Sequence, residues 1–145
     1  MTEAVTIAMI EDDEGHARLI QRNLRRAGIH NEIVPLADGA SAISFLFGSD
    51  GSGLANQGRP LLVLLDLNLP DMSGIDILKR LKENERLRVS PVVVLTTSDD
   101  KSEIRRCYDL GCNVYITKPV DYEKFANAVQ QFGLFMYVME VPVAI

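Results

Sequence analysis

The sequence predicts an α/β domain in which a strand is followed by a helix five times over, giving a parallel sheet with helices on both faces. Three observations carry that reading. Short apolar runs alternate with amphipathic segments of helical length. Two of the runs, LLVLL (61–65) and PVVVLT (91–96), are unbroken, as in central strands buried on both faces. Glycines and capping residues stand at many of the junctions.

VTIAMI (5–10) is the first strand. DEGHARLIQRNLRRAG places Ala17, Ile20, Leu24 and Ala27 at helical spacing, with Gly28 as the stop. NEIVPL (31–36) is the second strand. Its Pro35 has no N–H to give to a ladder, so this strand belongs at a sheet edge. DGASAISFLF (38–47) is the second helix, with Asp38 or Ser41 as its cap. GSDGSGLANQGRP (48–60) is a polar, glycine-rich loop leading to the third strand, LLVLL. SGIDILKRLKENERL carries Ile75, Leu78 and Leu81 and reads as the third helix; PVVVLT is the fourth strand. DDKSEIRRCYDLG (99–111) is a helix ending at Gly111, and NVYIT (113–117) is the fifth strand. DYEKFANAVQQFGLFMYVME is the fifth helix, opening at Asp121.

A chain of 145 residues suits one compact domain. Apolar residues make up 47% and charged residues 24%, the balance of a soluble globular protein. The net charge is −5, and the basic pairs Arg25-Arg26 and Arg105-Arg106 are isolated, which argues against direct nucleic-acid binding. The N-terminus lacks the pattern of a signal peptide. No apolar run approaches the roughly 20 residues of a membrane span. Cys107 and Cys112 have no partners at metal-ligand spacing and read as reduced, semi-buried thiols of a cytosolic protein.

In a parallel α/β sheet, ligands gather at the carboxyl ends of the strands. Glu11, Asp12 and Asp13 follow the first strand and Asp66 the third. Thr96, Thr97 and Ser98 end the fourth, and Lys118 with Pro119 follows the fifth. Carboxylates that repel one another favour a hard divalent cation, and Mg²⁺ prefers oxygen ligands completed by phosphate. A carboxylate beside such a cation can act as a nucleophile and form an acyl phosphate. Lysine offers a point charge to a phosphate oxygen, and threonine a hydroxyl. No serine–histidine or cysteine–histidine pair suggests another nucleophile; His16 and His30 stand in polar contexts.

Singly, these residues have plainer readings. Asp12 and Asp13 suit the cap and first turn of a helix. Asp13 falls one position past the acid pair and reads as a cap. Asp71 reads as a loop or cap residue, Thr96 as a strand residue, and Tyr115 equally as core packing or a switch. It is the combination at four strand ends that is specific.

Asp66 in DLNLPDMSG, Glu11-Asp12 after IAMI, Thr96 in VVVLTT and Lys118-Pro119 in YITKP resemble the receiver domain of two-component response regulators. The resemblance runs over residues 5–130. It implies a flavodoxin-like (βα)5 fold with strand order 2-1-3-4-5, which also puts the Pro35 strand at an edge. It implies that Asp66 accepts a phosphoryl group from a phosphohistidine on a sensor histidine kinase. Glu11, Asp12, Asp66 and the Asn68 backbone carbonyl would hold Mg²⁺, with Mn²⁺ or Ca²⁺ as substitutes. Lys118 and Thr96 would bind the phosphoryl group, Thr96 and Tyr115 would form the switch, and Asn68 and Ser98 would tune dephosphorylation. The Lys118–Pro119 bond would be cis.

Residues 1–131 would form the receiver and 132–145 an apolar C-terminal extension. Phe125, Val129, Phe132, Met136 and Met139 fall at helical spacing, Pro142 ends any helix, and so apolar an end suits a partner. This tail and the 48–60 loop resemble stand-alone regulators partnered with phytochrome-type kinases. That implies a cytoplasmic homodimer through the fourth helix, fifth strand, fifth helix and tail, with a bacteriophytochrome as kinase. The alternative is a tail folded back on its own domain. With no output domain in view, the protein would act through protein contacts, catalysing only its own phosphorylation and slow dephosphorylation. Two other classes fit less well. A haloacid-dehalogenase-type hydrolase needs an acid where Asn68 stands, and a flavin carrier would meet repulsion from Glu11, Asp12 and Asp13.

Overall fold

Five short strands of mostly aliphatic residues form one parallel sheet, and the three fully buried strands are apolar apart from a terminal threonine in two of them. In the computed structural model, residues 5–48 and 60–118 are described, together with Glu123, Lys124, Ala126, Asn127 and Gln130. The elements are β1 (Thr6–Ile10), α1 (Glu14–Arg26), β2 (Ile33–Leu36), α2 (Gly39–Leu46) and β3 (Leu61–Leu65). After them come α3 (Gly74–Glu83), a 3₁₀ turn (Leu87–Val89), β4 (Val92–Thr96), α4 (Lys101–Leu110) and β5 (Val114–Thr117). The sheet order is β2-β1-β3-β4-β5, with all four pairings parallel. Strand β2 lies at the edge, where the missing N–H of Pro35 costs no internal ladder bond.

Strand alternation divides the core in two. Ile7, Met9, Leu62, Leu64, Val93 and Leu95 pack on one face against Leu19, Ile20 and Leu24 of α1. Ala8, Ile10, Val63, Leu65 and Val94 pack on the other against Leu46, Ile77, Leu78, Leu81 and Cys107. Burying each such side chain contributes roughly 1.5–3 kcal/mol, so both faces of β1 and β3 are firmly held.

Short polar side chains start the helices. Asp13 accepts from the His16 N–H, Asp38 from Ser41, Ser73 from Ile75, and Asp100 from Ser102 and Glu103. Gly111 closes α4 at φ +108, in the left-handed region that favours glycine. The N–H of Cys112 then reaches back to the Cys107 carbonyl at 3.0 Å. Both cysteines are free and buried, and burial pushes the Cys112 thiol up to about 11.

The third helix is shorter than its sequence pattern predicts. It ends at Glu83, and Asn84 is extended. The Asn84 side chain accepts from the N–H groups of Arg86 and Leu87, offering the backbone an alternative to the next helical turn. Loop residues 49–59, the Lys118–Pro119 bond and the 132–145 extension lie outside the described residues. Of the fifth helix, only Glu123, Lys124, Ala126, Asn127 and Gln130 are described, and they are helical. Among the described residues no helix is long and apolar enough to cross a membrane.

Candidate functional site

Because the sheet is parallel, its strands deliver their carboxyl ends to one edge. Glu11 follows β1, Asp66 follows β3, Thr96 closes β4, and Lys118 follows β5. The ladder holds them in register. Asp66 N–H donates to the Ile10 carbonyl at 2.9 Å, Glu11 N–H to the Leu36 carbonyl at 3.0 Å, and Lys118 N–H to the Thr96 carbonyl at 2.6 Å. Glu11, Asp66, Thr96 and Lys118 are all buried, whereas Asp12 is exposed.

Buried ions need partners. The Lys118 ammonium donates to Glu11 Oε1 and, at 2.9 Å, to Asp66 Oδ2. It also stands 3.2 Å from His16 Nδ1. The other oxygen of Asp66 accepts the Asn68 N–H at 3.0 Å. Burial and then the neighbouring Asp66 push the Glu11 carboxyl up to about 8, against the pull of Lys118. Burial also raises Asp66, but hydrogen bonds with Glu11, the Asn68 amide and Lys118 outweigh it and hold Asp66 below the usual carboxylate range. The two carboxyls are thus pushed in opposite directions, Glu11 up and Asp66 down.

Glu11, Asp12 and Asp66 each bring one carboxylate oxygen into a group within 4.8 Å. Three hard oxygen donors, one of them open to solvent, fit a divalent cation such as Mg²⁺ that keeps part of its water shell. Asn68 Nδ2 lies 3.4 Å from both Thr96 Oγ1 and Thr97 Oγ1, so the Asn68 side chain spans the ends of β3 and β4. Tyr115 points its hydroxyl to the Ser98 carbonyl at 2.7 Å, and its N–H donates to the Tyr108 hydroxyl. Strand β5 is thereby tied to the loop after Thr96 and to α4. Ser98 takes part through its backbone carbonyl.

A parallel order of β2-β1-β3-β4-β5, with acids after β1 and β3, a threonine at the end of β4 and a lysine after β5, is the arrangement of a phosphoacceptor receiver. The chain belongs to the response regulator receiver domain family, whose model matches residues 7–130. It is 40% identical over 125 residues to the probable methanogenesis regulatory protein FilR2 of Methanothrix harundinacea, covering 86% of this chain and 79% of that one. It is 37% identical over 131 residues to response regulator Rcp1 of Synechocystis, covering 88% of each. The Mn²⁺-bound crystal structure of Rcp1 superposes with a TM-score of 0.83 at 33% identity, over 94% of this chain and 98% of that one. A response regulator receiver domain from Rhodospirillum rubrum reaches 0.92 at 67% identity, over 96% and 98%. The phosphorylated cyanobacterial phytochrome response regulator RcpA reaches 0.84 at 34% identity, over 97% and 99%.

One site residue escaped the sequence reading. It is His16: its polar neighbours in sequence hid a ring that reaches Lys118, although a helix starting directly after the acid pair brings its first turn over the strand ends. Asp71, read from the sequence as a loop or cap residue, is a cap, but for a helix distant in the chain. Its carboxylate accepts the N–H groups of Gly39 at 2.7 Å and Ala40 at 2.9 Å, the first turn of α2. These two bonds hold its carboxyl below the usual range. The loop after Asp66 is thus moored to a helix more than thirty residues earlier in the chain.

Gly74 sets the other side of that loop. A Cβ there would lie 2.3 Å from the Asp66 carbonyl oxygen and 2.7 Å from Leu67 Cα, both rigid backbone. Gly74→Ala must therefore push α3 away from the Asp66 loop. The expected loss is about 1–3 kcal/mol, as for other overpacked sites. Urea unfolding of the two proteins checks this, and equal midpoints would contradict so close an approach.

Proposed function

We propose that Asp66 is the phosphoacceptor of this response regulator and that Glu11, Asp12, Asp66 and the Asn68 backbone carbonyl hold its Mg²⁺. The observation that carries this reading is the convergence of buried Asp66, the acid cluster and the Lys118 ammonium at one sheet edge. An Asp66 carboxylate oxygen attacks the phosphorus of a phosphohistidine on the sensor kinase. The new O–P bond forms as the P–N bond breaks, and the imidazole departs with its electron pair. Bound Mg²⁺ supplies charge neutralisation for the phosphoryl oxygens. Lys118 offers a further positive charge and the Thr96 hydroxyl a hydrogen bond, while Glu11 and Asp12 keep the cation beside Asp66.

Phosphorylation then biases a two-state element. Thr96 turns towards the phosphoryl group, and Tyr115 follows through the loop that its hydroxyl bonds at Ser98. The face of α4, β5 and the fifth helix reads out the change. Asn68 and Ser98 tune the slow self-catalysed dephosphorylation, a reading supported by the reach of Asn68 to Thr96 and Thr97. The protein acts in the cytoplasm through protein contacts. Likeness to RcpA supports a phytochrome-type histidine kinase as its phosphodonor.

With acetyl phosphate and Mg²⁺, the wild-type protein is expected to gain one acid-labile phosphoryl group by intact mass. Asp66→Asn is expected to gain none, and gain at the wild-type level would refute the assignment. In a panel of phosphorylated histidine kinases, the phytochrome-type member is expected to transfer fastest; equal or slower transfer would remove that partner.

The apolar 132–145 extension supports a homodimer in which it joins the α4–β5 face. A chain ending at residue 131 is expected to be monomeric by light scattering at micromolar concentration, whereas the full chain is dimeric. A truncated chain that remains dimeric would exclude the extension as the interface.

A further inference from the structure

His16 lies in the first turn of α1, fixed there by its own N–H bond to the Asp13 cap at 3.0 Å. Since α1 begins directly after the acid pair, this turn overhangs the strand ends. The ring sits at the rim of the site with 34% of its side chain exposed. Nδ1 stands 3.2 Å from Lys118 Nζ and 3.7 Å from Glu11 Oε1. An ammonium group only donates, so a hydrogen bond at this contact has Nδ1 as its acceptor and uses the tautomer with the ring N–H on Nε2.

Glu11 and Asp66 also accept from Lys118. Both belong to the acid cluster that fits a cation, and His16 does not. A cation drawing on those carboxylates weakens their hold on Lys118 and repels its ammonium. His16 Nδ1 is an acceptor that this competition leaves in place. We infer that His16 is a positioning residue that holds the Lys118 ammonium beside Asp66 by accepting its hydrogen bond, independently of the two carboxylates. The inference rests on the reading of Asp66 as phosphoacceptor and Lys118 as its partner.

Three variants test it. His16→Leu removes the acceptor. His16→Asn puts an amide oxygen near the place of Nδ1, and His16→Gln puts one near that of Nε2. At saturating Mg²⁺, His16→Leu is expected to be phosphorylated by acetyl phosphate about tenfold more slowly than wild type, the lower end for one hydrogen bond to a charged group. His16→Asn is expected to recover to within about threefold of wild type and His16→Gln to stay slow. A second readout needs no phosphoryl transfer: the ¹H–¹⁵N signal of the buried Lys118 ammonium, expected to broaden or vanish in His16→Leu and to return in His16→Asn.

If His16→Leu fails to fold, the Asn and Gln variants carry the comparison. Phosphorylation of His16→Leu at the wild-type rate, or Asn and Gln variants that behave alike in both readouts, would overturn the inference. Wild-type protein that takes no phosphoryl group at Asp66 would instead overturn the underlying reading, with the ammonium signal still deciding whether His16 holds Lys118.

Discussion

Two carboxylates buried side by side at the ends of neighbouring strands would drive those strands apart unless their charge were compensated. Strands β1 and β3 are such neighbours, and they end in Glu11 and Asp66. Lys118 arrives from β5, two strands beyond β3, and bridges both. One ammonium cannot fully offset two charges in so dry a place, and the two carboxyls respond in opposite directions. The Glu11 carboxyl is pushed up, while that of Asp66 is held below the usual carboxylate range. The unbalanced negative charge is also what suits the site to a hard cation.

The rest of the fold keeps this arrangement from relaxing. The apolar β1 and β3 are sealed on both faces, so the acids at their ends cannot retreat without opening the core. The loop after Asp66 is pinned on two sides. Gly74 lets α3 approach within backbone contact, and Asp71 spans to the first turn of α2. At the opposite side, Tyr115 joins β5 to the carbonyl of Ser98. A chemical event proposed at Asp66 therefore has a short path through Thr96 and the Ser98 loop to the α4–β5 surface. That path is a packed element with a hydrogen bond to make or break, which is what a switch requires.

Much of this was legible in the sequence. Unbroken aliphatic runs marked the central strands because only strands covered on both faces need them. Pro35 marked an edge because it lacks a donor. Asp13 and Asp38 marked helix starts, and Gly111 a helix end. Other features depend on distance in space rather than along the chain. Asp71 caps a helix more than thirty residues away, and no local pattern records that. His16 reaches Lys118 across 102 residues. The early stop of α3 turned on Asn84, whose side chain competes with the helix more strongly than the apolar spacing of Leu87 favours it. Of the candidate site, the acids, threonine and lysine were visible because each directly ends a strand. The histidine was hidden because it lies on a helix that returns over them.

The central claim is that the phosphoryl group resides on the ionised carboxylate at the end of β3. Borohydride reduces an acyl phosphate to an alcohol, converting a phosphorylated aspartate to homoserine. Protein treated with phosphodonor and Mg²⁺, reduced and mapped by peptide mass spectrometry, should carry homoserine at position 66. Reduction at position 12 or 13 instead, with position 66 intact, would contradict the account.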